Sequence, residues 1–78
     1  MVIDQIRAAY PGLSKGQKAI ADYILNHYEA AAYMTAARIG KATGVSESTV
    51  VRFATELGYE GFPRFQNRCI ISIPLRFN

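Results

Sequence analysis

The residues with the clearest chemical reach lie between positions 35 and 58. Glu47, Ser48, Val51, Arg52 and Thr55 recur at intervals that put them on one side of a helix, with Val50, Phe53, Ala54 and Leu57 on the other. A helix presenting the first set fits a DNA major groove, where its N-terminal half meets base edges. An arginine such as Arg52 can donate two hydrogen bonds to guanine, worth about 1–3 kcal/mol of discrimination against another base. Val51 offers an apolar surface to a thymine methyl, and Ser48 is short enough to reach base or phosphate. Thr55 extends the same face. Glu47 has two readings: an acceptor for cytosine, or a favourable charge at a helix N-terminus. Thr35, Arg38, Lys41, Ser46, Thr49 and Tyr59 flank this face as candidate phosphate or positioning contacts. The plainer alternatives are an Arg52–Glu56 ion pair one turn apart, solvated charges at Arg38 and Lys41, and a helical hairpin that only builds a core.

Positioning such a face takes a set of short helices, and turn chemistry marks their ends. Val2–Ala9 carries Ile3 and Ile6 at helical spacing, with Tyr10 following, until Pro11-Gly12 stops it. Ser14 with Gln17 three residues later forms a capping box that opens a helix over about 15–28, with Ile20, Ala21, Ile24, Leu25 and Tyr28 inward. The alanine-rich stretch 29–33 reads as a continuation or a connection. Thr35 caps a helix over about 36–43, with Met34 and Ile39 at hydrophobic-staple spacing. Gly44 makes the turn, and Ser46 caps the next helix over about 47–57, stapled by Val45 and Val50. Gly58 is placed as its left-handed terminator. Gly40 costs a helix about 1 kcal/mol against alanine, so it points to two helix backbones in close approach. A last helix opens near Pro63, turning Phe62, Phe65 and Cys69 inward. From Ile71 to Phe77 apolar and other residues alternate, which is strand spacing, and Pro74 restricts it to an edge strand or an irregular tail. The expected fold is all-α: a small five-helix, homeodomain-like bundle containing a helix-turn-helix, with the domain over 1–68 and the tail over 69–78.

Composition bounds the possibilities. Seventy-eight residues hold one small domain, and 50% hydrophobic with 19% charged residues argues against disorder. The net charge of +3 is mildly basic and compatible with a polyanionic partner. After Glu60 come Arg64, Arg68 and Arg76 and no acid. One cysteine and one histidine exclude a disulfide framework and a Cys/His zinc site, so no metal or cofactor is expected. No nucleophile–base pair or glycine-rich phosphate loop is evident, which disfavours an enzyme. No apolar run approaches the roughly 20 residues of a membrane span, and Met1-Val2-Ile3-Asp4 lacks a basic leader, so a cytoplasmic location is expected. Ile3, Ile6 and Tyr10 are candidate homodimer contacts.

Leu13-Ser14, Ala21-Asp22-Tyr23-Ile24-Leu25, Ile39-Gly40, the block Gly44-Val45-Ser46-Glu47-Ser48-Thr49-Val50-Val51-Arg52-Phe53, Leu57-Gly58-Tyr59 and Gly61-Phe62 carry a resemblance. Together, over about residues 3–68, they resemble the N-terminal domain of RpiR/MurR-type bacterial transcriptional regulators. The resemblance implies an all-helical DNA-binding domain, a homodimer on a two-part operator in double-stranded DNA, and control of sugar or amino-sugar metabolism genes. In that family a C-terminal sugar-isomerase-like (SIS) domain binds a phosphosugar. Nothing in this chain matches it, and after Arg68 the chain departs from the family pattern. A phosphosugar effector is therefore expected only where a separate SIS domain exists. The rival from another class is a helical dimerisation or protein-interaction module without DNA binding, supported by the modest charge and the alternating tail.

Overall fold

Three hydroxyl side chains fix where the helices begin. Ser14 Oγ accepts from the Gln17 amide at 3.2 Å while Gln17 Oε1 accepts from the Ser14 amide at 3.1 Å, a complete capping box. Thr35 Oγ1 accepts from the Arg38 amide, and Ser46 Oγ from the Thr49 amide. The computed structural model describes residues 1–73. In them α1 (Val2–Ala9) and a 3₁₀ turn (Tyr10–Gly12) lead into α2 (Lys15–Asn26) and α3 (Tyr28–Ala32). Then follow α4 (Ala36–Thr43), α5 (Glu47–Glu56) and α6 (Phe62–Ile71). No strand occurs among the described residues.

The inward residues of each helix meet in one core. Ile6, Ile20, Ile24, Ile39, Val50, Phe53 and Phe65 are all sealed from solvent. α4 packs chiefly on α5, α2 packs on α3, α4 and α5, and α6 lies against α3 and α5. Phe65 is the aromatic hub, with Phe53 edge-on at 5.7 Å and Tyr59 at 5.6 Å. Such pairs contribute about 0.5–1.5 kcal/mol each beyond their buried area.

Three expectations need correction. Residues 29–33 are neither a continuation of α2 nor a plain connection. The backbone breaks at His27 (φ −136°, ψ 47°), and Tyr28–Ala32 forms a helix of its own, making six α-helices among the described residues rather than five. Tertiary contacts hold it there: Ala31 and Ala32 are buried, and the Tyr28 hydroxyl donates to the Cys69 carbonyl at 3.0 Å. Gln66 Nε2 donates to the Met34 carbonyl at 2.7 Å just beyond it. The second correction is at the C-terminal end. α6 continues through Ile71 and Ser72 is buried, so strand spacing does not describe residues 71–73, and the division after Arg68 falls inside a helix. The edge-strand reading of 74–77 and the remainder of the tail lie outside the described residues. Third, Ile6 is fully buried within its own chain, where it cannot serve a dimer contact; Ile3 and Tyr10 remain half-buried.

The Tyr28–Cys69 contact gives the fold an alkaline limit. Burial, then the charge of Cys69, pushes the Tyr28 phenol up to about 12 from its ordinary 10.0. Burial likewise pushes the Cys69 thiol up to about 12 from 9.0, against a smaller opposing hydrogen bond from Tyr28. Both folded-state values lie above the unfolded ones, so the unfolded chain loses its protons first as pH rises. The associated stability is complete below about pH 9 and drains away towards about pH 12. Urea midpoints measured across that window are expected to fall with pH. In a Cys69→Ala variant the fall begins nearer pH 10, because only the phenol remains. An unchanged onset removes the thiol from the account.

Candidate nucleic-acid interface

α4 and α5 meet at a turn of three residues, and backbone geometry makes it possible. Gly44 ends α4 in the left-handed region (φ 76°), where a side chain would strain the backbone. The Val45 amide then donates back to the Gly40 carbonyl at 2.9 Å, strapping the turn onto α4. A Cβ at Gly40 would lie 2.8 Å from the Val45 carbonyl oxygen, so only glycine allows this approach. At its far end α5 closes with a Schellman motif. The Tyr59 amide donates to the Ala54 carbonyl at 3.1 Å and the Gly58 amide to the Thr55 carbonyl at 3.0 Å, with Gly58 at φ 97°.

The rod between these two glycines has two distinct sides. Val50 (1% exposed), Phe53 and Ala54 (each 0%) are buried. Glu47, Ser48, Val51, Arg52 and Thr55 are all exposed, and Val51 leaves 37% of its surface open. The structure thus gathers the five candidate base-reading residues on one open face. Among the described residues the ion pair present is Arg64–Glu60, so Arg52 is not tied to Glu56 and its guanidinium faces solvent. Thr55 Oγ1 donates to the Arg52 carbonyl at 2.9 Å, which leaves the Thr55 oxygen as an acceptor. At the head of α5, Ser46 Oγ lies 3.1 Å from Ser48 Oγ and 2.8 Å from Thr49 Oγ1, so three hydroxyls orient one another there.

The flanking candidates divide. Arg38 and Lys41 are exposed on α4 and line an open groove of about 670 Å³ with Tyr23, Ala30, Met34 and Ala42. Thr35 and Ser46 are helix caps that stay exposed. Thr49 is half-buried, its methyl turned towards Gly16 of α2. Tyr59 belongs to the framework: its ring packs edge-on to Phe65 and its hydroxyl donates to Gln5 Oε1 of α1, so its proton is not free for a phosphate. Spacing marked Met34 only as a staple residue and did not place it with Tyr23 in the wall of the basic groove, where a hydroxyl–sulfur contact of 3.5 Å joins the two. Nor did it single out Gly16, which lets α2 approach the head of α5. A glycine at the second position of an otherwise strong helix was the one visible signal of that approach.

Two helices strapped together through a glycine turn, the second with an open polar face and the first carrying free cations, define a helix-turn-helix domain of the transcriptional-regulator class. The chain belongs to the rpiR family of these domains: the family described as "Helix-turn-helix domain, rpiR family" matches residues 1–73. Among its relatives is the uncharacterized HTH-type transcriptional regulator YfhH of Escherichia coli, 42% identical over 59 residues, which cover 76% of this chain and 21% of that protein. The HTH-type transcriptional regulator HexR of Pseudomonas aeruginosa is 31% identical over 65 residues, covering 83% of this chain and 23% of HexR. In three dimensions the chain is similar to the Vibrio vulnificus NanR protein, solved in complex with ManNAc-6P. The TM-score is 0.91 at 26% identity, over 99% of this chain and 30% of NanR. The chain therefore spans between a fifth and a third of the length of these proteins.

Proposed function

We propose that this domain binds DNA sequence-specifically by laying α5 in the major groove, as a homodimer on a two-part operator whose half-sites lie about 34 Å apart. The observation that carries the reading is the split of α5. Its apolar residues are sealed in the core while Ser48, Val51 and Arg52 stand open on a rigid rod. Ile3 and Tyr10, half-buried on the α1 side, are the remaining candidates from the first helix for the dimer contact.

Control of sugar or amino-sugar metabolism genes is the regulatory role we assign to it. The support is the kinship with HexR and the likeness to NanR, whose solved complex holds the phosphosugar ManNAc-6P. A phosphosugar signal would enter through a separate SIS domain, because the described residues of this chain are taken up by the helical bundle. Selection of bound duplexes from a random library tests the DNA reading directly. Enrichment of a motif with two related halves is expected, and recovery of unenriched sequence overturns it.

Lys41 on α4 has a separable part in this reading. A lysine that holds phosphate contributes to every sequence alike, through release of condensed counterions. Lys41→Ala is expected to weaken specific and random duplexes by the same factor, and to reduce the slope of log K against log salt by about 0.9. Titrations at several salt concentrations check this, and an unchanged slope makes Lys41 a merely solvated charge.

A further inference from the structure

α2 meets the head of α5 at Gly16. A Cβ there would lie 3.4 Å from Val45 Cγ1 and 3.6 Å from Thr49 Cγ2, so the first turn of α2 abuts both the turn and the first turn of the exposed rod. Lys15 is the adjoining residue, and consecutive Cα atoms are about 3.8 Å apart. It is exposed, and among the described residues no carboxylate is ion-paired to it. Its ammonium rides on a flexible four-carbon stem that can sweep the rim beside α5. Lys18, nearly one turn further along, is engaged otherwise: its Nζ lies over the Tyr10 ring, 5.5 Å from the centroid, on the side towards α1.

We propose that Lys15 is a positioning residue for DNA, holding a backbone phosphate on the strand that borders the groove entered by α5. Arg38 and Lys41 act from α4, whereas Lys15 acts from α2. Packing of Gly16 on Val45 and Thr49 couples that phosphate contact to the seating of the base-reading face. Lys18 has no such part, since its cation is turned to an aromatic ring. The inference rests on the DNA-binding reading given above.

The experiment is an anisotropy titration of the full chain on labelled short duplexes of random sequence, at a series of NaCl concentrations. Lys15→Ala is expected to bind several-fold more weakly at low salt and to reduce the log–log salt slope by about 0.9, the loss of one phosphate contact. Lys15→Arg restores the slope, and Lys18→Ala keeps the slope of the parent chain. Thermal melting of all three variants matches the parent, which separates the effect from a loss of fold. A Lys15→Ala slope equal to that of the parent overturns the proposal, as does an equal drop for Lys18→Ala. A parent chain without salt-dependent binding overturns the DNA reading itself, and the role of Lys15 falls with it.

Discussion

Replacing Arg52 with alanine is expected to erase discrimination at one base pair of each half-site while leaving affinity for random duplexes nearly intact. The guanidinium stands on the open face of α5, about one and a half turns from its start and free of any ion pair among the described residues. A planar fork of donors in that position matches the two acceptors on the major-groove edge of guanine, a match that alanine cannot make. The expected loss is about 1–3 kcal/mol, roughly a factor of 5 to 150 between the preferred base and its competitors. Because Arg52 is exposed, the fold should not register its removal beyond about 0.5 kcal/mol. Competition of the variant against duplexes altered one position at a time provides the measurement. Equal losses on specific and random DNA would falsify the base-reading role and make Arg52 one more phosphate contact.

The second large effect falls on the fold itself. Gly40→Ala gains about 1 kcal/mol of helix propensity, and in an open helix that would stabilise. Here the new methyl would sit 2.8 Å from the Val45 carbonyl oxygen and 3.4 Å from the Glu47 amide nitrogen. These are backbone atoms, and the Val45 amide is already tied to the Gly40 carbonyl, so no flexible side chain can yield. Overpacking of this kind costs about 1–3 kcal/mol in a core with room to adjust, and more where the backbone itself must move. We expect a net loss of about 2 kcal/mol, which for a domain of this size lowers the melting temperature by roughly 8–16 °C. DNA affinity should fall as well, since the displaced element is the head of α5. Gly12→Ala is the matched control, because its Cβ would meet nothing within 4 Å. A Gly40→Ala domain that melts at or above the parent temperature removes close approach as the reason for that glycine.

The helix-turn-helix was legible in the sequence because its determinants are local. Ser14, Thr35 and Ser46 cap backbone amides within three residues of themselves, and Gly44 satisfies a dihedral requirement at its own position. The two faces of α5 follow from helical periodicity alone. α3 was not legible, since Tyr28–Ala32 has no side-chain cap and alanine contributes no contrast to a hydrophobic pattern. What stabilises it, the Tyr28 hydroxyl on the Cys69 carbonyl, joins residues 41 positions apart. The same limit governs the end of α6, where three residues cannot distinguish a period of two from one of 3.6. Ile6 shows a further limit: spacing reveals that a face is apolar, but not whether its own chain or another covers it. The Tyr59 hydroxyl's partner was hidden for a similar reason, as Gln5 lies 54 positions away.

The two positive-φ glycines also cap the amount of information one domain can extract. A rod of ten residues measures about 15 Å, the stacking height of four or five base pairs. An address of that length recurs by chance about once in a few hundred to a thousand steps along a chromosome, against some 10⁶ or more competing positions. Gly44 and Gly58 fix both ends, so the reading window cannot grow by extending the helix; in the proposed dimer, the second window at a set interval would supply the missing information.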